Sequence, residues 1–330
     1  MSYNGAGAAG IIERIMIICS TMKEQGRRTE MYYAEPVYRP PSEAYSLLVQ
    51  ATVGCSSAAA GRCYFCNSTV FNRTVPEKRF RIRPTHEILE DIEIGGRQYR
   101  DVDKIFLLDS NAMIIKTPEL LKIVKKCYDT FPGLKQVSCY ACSEDIIRKT
   151  DGELLELREA GLNLVFVGLE SGDQEVLNLI NKGVTVEDQI ASVVKANKAG
   201  IRTSVTVILG LGGKRLSEQH AINTGKAATL MNPSFFAALT LMAVPGTVLH
   251  DMITSGEFEP VTDPMDILTE VGLMIKNIHA PGPVVFRTNH ASNYLPLAGT
   301  LPEDKERLLR TISNAVKNPR ILRAEYMRGL

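Results

Sequence analysis

Two adjoining stretches organise the chain: SLLVQATV at residues 46–53 and GCSSAAAGRCYFC at residues 54–66. The first is an apolar run of the kind that forms a strand buried on both faces. The second places Cys55, Cys63 and Cys66 within twelve residues, the last two as a Cys-x-x-Cys pair. A turn after a strand can bring three thiolates so spaced around one soft metal centre. We therefore expect the fold to be built around this loop.

The composition limits the class of protein. Of the 330 residues, 45% are hydrophobic, which suffices for a large core, and the net charge of +1 provides no overall field for nucleic acid. No apolar run approaches the ~18 residues of a membrane span, and residues 1–18 lack the pattern of a signal peptide. Seven clustered cysteines in such a chain favour metal binding or catalysis over disulfides. These features predict a cytoplasmic protein without a membrane or nucleic-acid partner.

Apolar, strand-like runs alternate with helix-like segments from residue 45 onward. Helix signals between the strands include Thr150 and Glu153 as a capping box and Gly161 at a helix end. Six repeats of strand and helix predict right-handed βαβ units and a parallel sheet, in either a partial barrel or an open doubly wound arrangement. The predicted strands are 45–53, 103–109, 134–142, 162–169, 202–209 and 235–243.

The alternation weakens after residue 244, where Pro and Gly interrupt the chain. Helical segments near 264–278 and 302–316 flank a short predicted strand at 283–287. This pattern predicts a C-terminal cap on the core domain. The predicted division is an N-terminal extension (1–40), a core (41–250) and a C-terminal cap with a helical tail (251–330).

The metal chemistry follows from the number of ligands. Three Cys ligands leave one iron of a [4Fe–4S] cluster open, whereas structural zinc takes four protein ligands. No fourth Cys or His lies near residues 54–66 in the sequence, which favours a reactive centre over a closed one. A non-catalytic zinc or iron–sulfur module is the alternative. Cys139 and Cys142 form a second Cys-x-x-Cys pair, which either binds an auxiliary cluster or supplies small side chains to a barrel.

The segments RPPSEA (39–44), GC (54–55) and CYFC (63–66) resemble the lead-in and cluster loop of the radical SAM (S-adenosylmethionine) superfamily, in its Elp3/HemN-like branch. The resemblance extends over residues 38–310 and implies a partial (β/α)6 barrel of the TIM type with a C-terminal cap. It implies that Cys55, Cys63 and Cys66 bind a [4Fe–4S] cluster whose open iron chelates SAM. One electron then cleaves SAM to a 5′-deoxyadenosyl radical, which abstracts hydrogen from a substrate. An auxiliary cluster at the second Cys pair would instead imply a sulfur-inserting member.

The resemblance also implies contacts to SAM. Phe65 would pack beside the cluster and adenine, and Glu170, within GLESG (168–172), would contact SAM. Seven residues separate Cys55 from Cys63 instead of the family's usual three, which predicts a longer, flexible loop. Further residues implied to contact SAM are Asp109, Ser110 and Asn111 after the second strand, Ser204 and Thr206 on the fifth, and Val244 after the sixth.

The polar segment NHASNY (289–294) lies in the predicted cap. His290 or Tyr294 could touch the substrate as a hydrogen-bonding or proton-transfer group, or the segment could be a turn that satisfies its own backbone. The resemblance further implies a ferredoxin- or flavodoxin-like electron donor, sensitivity to oxygen, and a role in cofactor or metabolite biosynthesis.

Overall fold

The computed structural model describes residues 28–329, so the segment used to exclude a signal peptide and most of the predicted extension lie outside it. Ten strands are present in the described residues. They are β1 (Leu47–Gln50), β2 (Thr52–Val53), β3 (Arg81–Ile82), β4 (Lys104–Leu108), β5 (Gln136–Ala141), β6 (Leu162–Glu170), β7 (Arg202–Leu209), β8 (Phe235–Thr240), β9 (Val284–Arg287) and β10 (Ala298–Leu301).

Twelve α-helices accompany the strands within residues 28–329. Thr150 and Glu153 form the predicted capping box, and Gly161 ends that helix in the left-handed conformation. No helix in this part of the chain is long and apolar enough to cross a membrane. The helices are α1 (Ser56–Ala59), α2 (Asn67–Thr74), α3 (Thr85–Gln98), α4 (Thr117–Thr130), α5 (Ser143–Arg148), α6 (Asp151–Ala160), α7 (Gln174–Leu179), α8 (Val186–Lys198), α9 (Gly213–Met231), α10 (Val248–Ser255), α11 (Pro264–Lys276) and α12 (Lys305–Lys317).

Eight strands form one sheet in the order β1-β4-β5-β6-β7-β8-β9-β10. Neighbours are parallel from β1 to β9, and β10 is antiparallel to β9. A doubly wound sheet would reverse its strand order at a switch point, whereas this order follows the chain. The predicted partial barrel is therefore confirmed. The strand predicted inside the cap is β9, which continues the sheet as a seventh parallel strand.

The two faces of the sheet differ in what they pack against. Val205, Val207 and Leu209 on β7 are at most 2% exposed and belong to the main core, which packs on the helices. The intervening residues face into the barrel, because side chains alternate along a strand. The inner face carries its own apolar cluster, which includes Phe106, Leu108, Leu164 and Phe166.

The N-terminal segment 28–40 lies along the free edge of the partial barrel. The Tyr33 hydroxyl donates to the Leu48 carbonyl at 2.7 Å, and the Ala34 amide donates to Gln50 Oε1 at 2.7 Å. Tyr33 and Val37 also pack on the inner apolar cluster. The segment thus covers the edge strand β1 next to the cysteine-containing loop.

Candidate active site

The loop of residues 54–66, hereafter the cysteine loop, follows β2. Cys55 lies at the N-terminus of α1 and Cys66 at the N-terminus of α2, so both helices start from a cysteine. Gly54 begins the loop with φ +65°, and a Cβ there would lie 2.2 Å from the Lys78 carbonyl oxygen. Only glycine combines this conformation with so close an approach of the backbone.

Part of the segment between Cys55 and Cys63 is helical. Residues 56–59 form α1, a helical turn within the segment that the sequence predicts to be a loop. Arg62 forms an ion pair with Glu144 at 2.9 Å, and Asn181 Nδ2 donates to the Gly61 carbonyl at 3.1 Å. The Cys63 amide donates to the Asn181 carbonyl at 2.9 Å. These contacts tie the cysteine loop to α5 and to the end of α7.

The three thiols form a donor set suited to an iron–sulfur cluster. All three thiols are free. Burial raises the pKa of Cys66, and the charge of the nearby Cys55 adds to this shift. Burial raises the pKa of the Cys63 thiol to about 12, although the nearby Lys182 opposes this shift. No three His, Cys, Asp or Glu side chains within residues 28–329 converge closely enough to hold a single metal ion. A cluster of four irons is wider than one ion, so its ligands stand further apart.

Asp109 lies directly beneath the cysteine loop. Its carboxylate is 2% exposed, pairs with the buried Lys78 at 2.5 Å, and accepts the Gly54 amide at 3.1 Å and Gln50 Nε2 at 3.4 Å. Burial raises the pKa of this carboxyl, and Lys78 opposes the shift. Asp109 thus connects the end of β4 to the start of the loop.

A small cavity lies beside this pair. Asp109 and Ser110, both expected near SAM, contribute to its wall. Asn111 points elsewhere: its Nδ2 donates to Ser56 Oγ at 3.1 Å and to Asp145 Oδ2 at 2.6 Å. The cavity is lined by Tyr38, Gly54, Ser68, Phe71, Lys78, Asp109 and Ser110.

Glu170 ends β6 on the same side of the barrel. Its carboxylate pairs with Lys182 at 2.8 Å, and both side chains are less than one-fifth exposed. Burial disfavours the Lys182 ammonium, but Glu170 and Cys63 outweigh that effect and raise its pKa. Cys63 and Glu170 both adopt positive φ without being glycine, at +59° and +62°. Such conformations cluster at functional sites.

A buried histidine supports the segment that carries Glu170. The Ser171 hydroxyl hydrogen-bonds His220 Nδ1 at 2.8 Å, and the Gly172 amide donates to Thr224 Oγ1 at 2.9 Å. Burial lowers the pKa of His220, which keeps the ring neutral. Helix α9 thereby fixes the segment from the outside of the barrel.

Other residues implied to contact SAM take different positions. Phe65 is half-buried in an apolar cluster that includes Leu241 and Leu249. The Val244 carbonyl accepts from the Thr247 amide at 3.2 Å. Thr206 faces the barrel interior near the middle of β7. Ser204 faces the same way two residues nearer the start of β7, in register with Phe166 and Phe235.

Strand β5 ends between the two cysteines of the second pair, Cys139 and Cys142. Cys139 is fully buried in the main core against the helices. Cys142 follows β5 and lies 3.7 Å from Ser57 Oγ, next to the cysteine loop. The two thiols therefore face different environments, as expected for positions i and i+3 on a strand.

The polar segment 289–294 is docked on the end of β8. Ser292 Oγ accepts the Thr240 amide at 3.1 Å, and Asn293 Nδ2 donates to the Ala238 carbonyl at 2.9 Å. His290 Nδ1 hydrogen-bonds Ser292 Oγ at 2.9 Å. The Tyr294 hydroxyl donates to Glu325 Oε2 at 2.9 Å, so it is committed to the C-terminal tail.

Several residues at the site were not predicted from the sequence. Lys78, Lys182 and His220 are basic residues that belong to no recognised motif. Lys78 meets Asp109 and Lys182 meets Glu170 only through the tertiary fold. A full set of helix and strand assignments would still not have paired them.

The family model of the radical SAM superfamily matches residues 49–224, more than half of the chain. Among curated relatives, an uncharacterized protein of Methanocaldococcus jannaschii is 24% identical over 223 residues, 66% of this chain and 67% of the relative. An uncharacterized methyltransferase of Pyrococcus horikoshii is 25% identical over 57% of this chain and 39% of its own length. The heme chaperone HemW of Bacillus subtilis is 21% identical over 59% of this chain and 51% of its own length.

Two solved structures share the fold. The radical SAM methyltransferase TsrM from Kitasatospora setae, with tryptophan and a SAM analogue bound, superposes with a TM-score of 0.51 at 18% identity, over 69% of this chain and 43% of that one. Coproporphyrinogen III oxidase (HemN) from Escherichia coli gives 0.50 at 17% identity, over 76% and 54%. The chain belongs to the radical SAM superfamily, whose enzymes use a [4Fe–4S] cluster and S-adenosylmethionine.

Proposed function

We propose that Cys55, Cys63 and Cys66 hold the [4Fe–4S] cluster and that SAM binds next to the cluster, near Asp109 and Ser110. The main support is the placement of three free thiols in one anchored loop at the carboxyl ends of parallel strands, where such folds bind ligands. When bound there, the cluster would supply the one electron needed for reductive cleavage of SAM, and the resulting 5′-deoxyadenosyl radical would abstract hydrogen from the substrate.

The protein groups around the thiols have distinct roles in this proposal. Lys182 places a buried positive charge beside Cys63, where it offsets the negative charge of bound thiolates. Glu170 holds Lys182 in place through their 2.8 Å ion pair. Asp109 fixes the start of the loop, and Phe65 forms an apolar wall next to Leu241. Together these groups orient the loop and keep water away from it.

We further propose that the enzyme acts in the cytoplasm, in the biosynthesis of a cofactor or metabolite. A ferredoxin- or flavodoxin-like protein would deliver the electron, and the low-potential cluster would be sensitive to oxygen. The balanced charge of the chain, +1, supports a small-molecule substrate rather than nucleic acid.

Anaerobic reconstitution tests this proposal. The loaded protein should contain about four irons per chain and release 5′-deoxyadenosine from SAM with dithionite, as measured by chromatography and mass spectrometry. Cys55→Ser, Cys63→Ser and Cys66→Ser should each lose most of the iron and all of the product. Cys127→Ala, which removes a thiol in the core stripe of α4, is the matched control and should retain both.

Two outcomes would contradict the proposal. Fully loaded protein that releases no 5′-deoxyadenosine would exclude SAM cleavage by this chain. About eight irons per chain, reduced to four by Cys142→Ala, would show a second cluster.

A further inference from the structure

The inner face of the barrel is open along β7, β8 and β9. On these strands fully buried residues alternate with half-exposed ones, and the buried ones belong to the main core. Thr206, Ala237 and Arg287 are half-exposed, although β7 and β8 are central strands. A barrel interior is normally filled by packed side chains. Its accessibility here indicates a chamber rather than a solid core.

The strand register defines the walls of this chamber. Gly168, Thr206, Ala237 and Arg287 are successive partners across β6 to β9, so they form one inward-facing row. Thr206 and Ala237 are small, which leaves space in front of β7 and β8, whereas the Glu170–Lys182 pair occupies the space in front of Gly168. Arg287 ends the row on β9.

The neighbouring rows are largely apolar. The row below contains the aromatic side chains of Tyr140, Phe166 and Phe235. The row above includes Ile208 and Leu239, which pair directly. A ligand in the chamber would therefore contact aromatic and aliphatic groups over most of its surface.

Arg287 is the cation of this row. Phe286, its neighbour, is fully buried on the outer face and stacks on Phe236 at 6.2 Å, so alternation directs Arg287 inward. Among residues 28–329, no ion pair joins its guanidinium to a carboxylate, and Arg287 Nη1 donates to the Phe286 carbonyl at 3.3 Å. Arginine binds carboxylates in a bidentate manner, and this charge is available for one.

We propose that the chamber binds the substrate, that Arg287 anchors a carboxylate, and that the substrate is a small molecule with an apolar body and a terminal carboxylate. This inference rests on the proposed function. The Lys182 ammonium near Gly168 is already paired with Glu170, so Arg287 supplies one uncompensated charge, which favours a singly charged carboxylate over a phosphate. Arg287 lies two strands, about 10 Å, beyond Thr206, and is therefore assigned to the substrate rather than to SAM.

Binding of three probes tests the proposal on cluster-loaded, SAM-saturated, unreduced enzyme: hexanoate, hexyl phosphate and 1-hexanol, titrated at constant ionic strength by saturation-transfer NMR. Hexanoate should bind wild type more tightly than the other two. Arg287→Met should weaken hexanoate binding about tenfold or more, and Arg287→Lys should restore part of it. Arg310→Met, on the exposed face of α12, is the matched control and should bind as wild type does.

Three outcomes would overturn the proposal. Equal affinity of wild type and Arg287→Met for hexanoate, or no detectable binding by either, would show that Arg287 does not anchor a carboxylate. Tighter binding of hexyl phosphate that depends on Arg287 would indicate a phosphate instead. Loss of SAM affinity in Arg287→Met would assign the residue to SAM. None of these binding measurements requires reduction of the cluster. A failure of the proposed SAM cleavage, which is tested with dithionite, is therefore distinguishable from a failure of the proposed substrate site.

Discussion

At the scale of single residues, the buried pair of Lys78 and Asp109 is the contact on which the cysteine loop depends. The two side chains are 3% and 2% exposed, and Asp109 also accepts the Gly54 amide. Removing one member of a buried ion pair leaves a charge without compensation, which typically costs several kcal/mol. The pair therefore makes the loop sensitive to substitutions that touch no thiol.

We expect Lys78→Met to lower the free energy of unfolding by about 3–5 kcal/mol, because Asp109 would lose its buried partner. Lys78→Met/Asp109→Leu should recover part of this loss, since no buried charge is left. Chemical denaturation under anaerobic conditions measures both.

Lys122→Met provides the control, because Lys122 pairs with Glu119 on the exposed face of α4. Its free energy of unfolding should not change measurably. If Lys78→Met were equally mild, the buried pair would not anchor the loop.

At the scale of elements, the cysteine loop is held by its backbone as much as by its side chains. Gly54 and Gly61 both have positive φ, at +65° and +70°, but they differ in their surroundings. A Cβ at Gly54 would lie 2.2 Å from a backbone oxygen, whereas a Cβ at Gly61 would meet nothing within 4 Å. A substitution at Gly61 therefore introduces only the strain of a left-handed backbone conformation, whereas a substitution at Gly54 adds a steric clash.

Gly61→Ala should cost only about 1–2 kcal/mol of stability, the usual penalty for a left-handed alanine, and should retain about four irons per chain. Gly54→Ala should displace the loop from Lys78 and lose most of the iron. Iron analysis together with denaturation measures both effects. Equal iron content in the two variants would show that the start of the loop tolerates displacement.

At the scale of the whole molecule, the C-terminal tail returns to the mouth of the barrel. Arg323 Nη1 donates to the carbonyls of His290, Ala291 and Asn293 at 3.1, 2.9 and 2.8 Å. Arg328 lies over the Tyr294 ring at 4.0 Å. Burial raises the pKa of Tyr294 to about 12, so its hydroxyl stays protonated near neutral pH. Both contacts hold the polar segment 289–294 against β8.

Arg323→Met should loosen that segment, because three carbonyls lose a charged donor. Amide hydrogen exchange in residues 288–297 should become faster, and exchange in the cysteine loop should stay unchanged. Arg320→Met, on an exposed side chain, is the control. Unchanged exchange in 288–297 would mean that the tail does not hold the segment.

Much of the fold could be predicted because its signals are local. The parallel strands are near-continuous apolar runs such as Ile105–Leu108 and Val205–Leu209, and the helix between Thr150 and Gly161 carries its own caps. The cysteine loop is likewise a local pattern, and the family match confirms the resemblance drawn from it. The chain order of the strands, which separates a barrel from a doubly wound sheet, is not local and could not be predicted from the residues alone.

The sequence by itself determined the parallel strands, the three clustered thiols and the superfamily, since each depends on neighbouring residues. Only the tertiary structure decided which distant side chains meet: Lys78 with Asp109, Lys182 with Glu170, and the tail with residues 289–294. It also decided that β9 joins the sheet and directs Arg287 into the barrel. Such contacts depend on how elements pack, because a buried charge is tolerated only where the fold brings it a partner or a ligand.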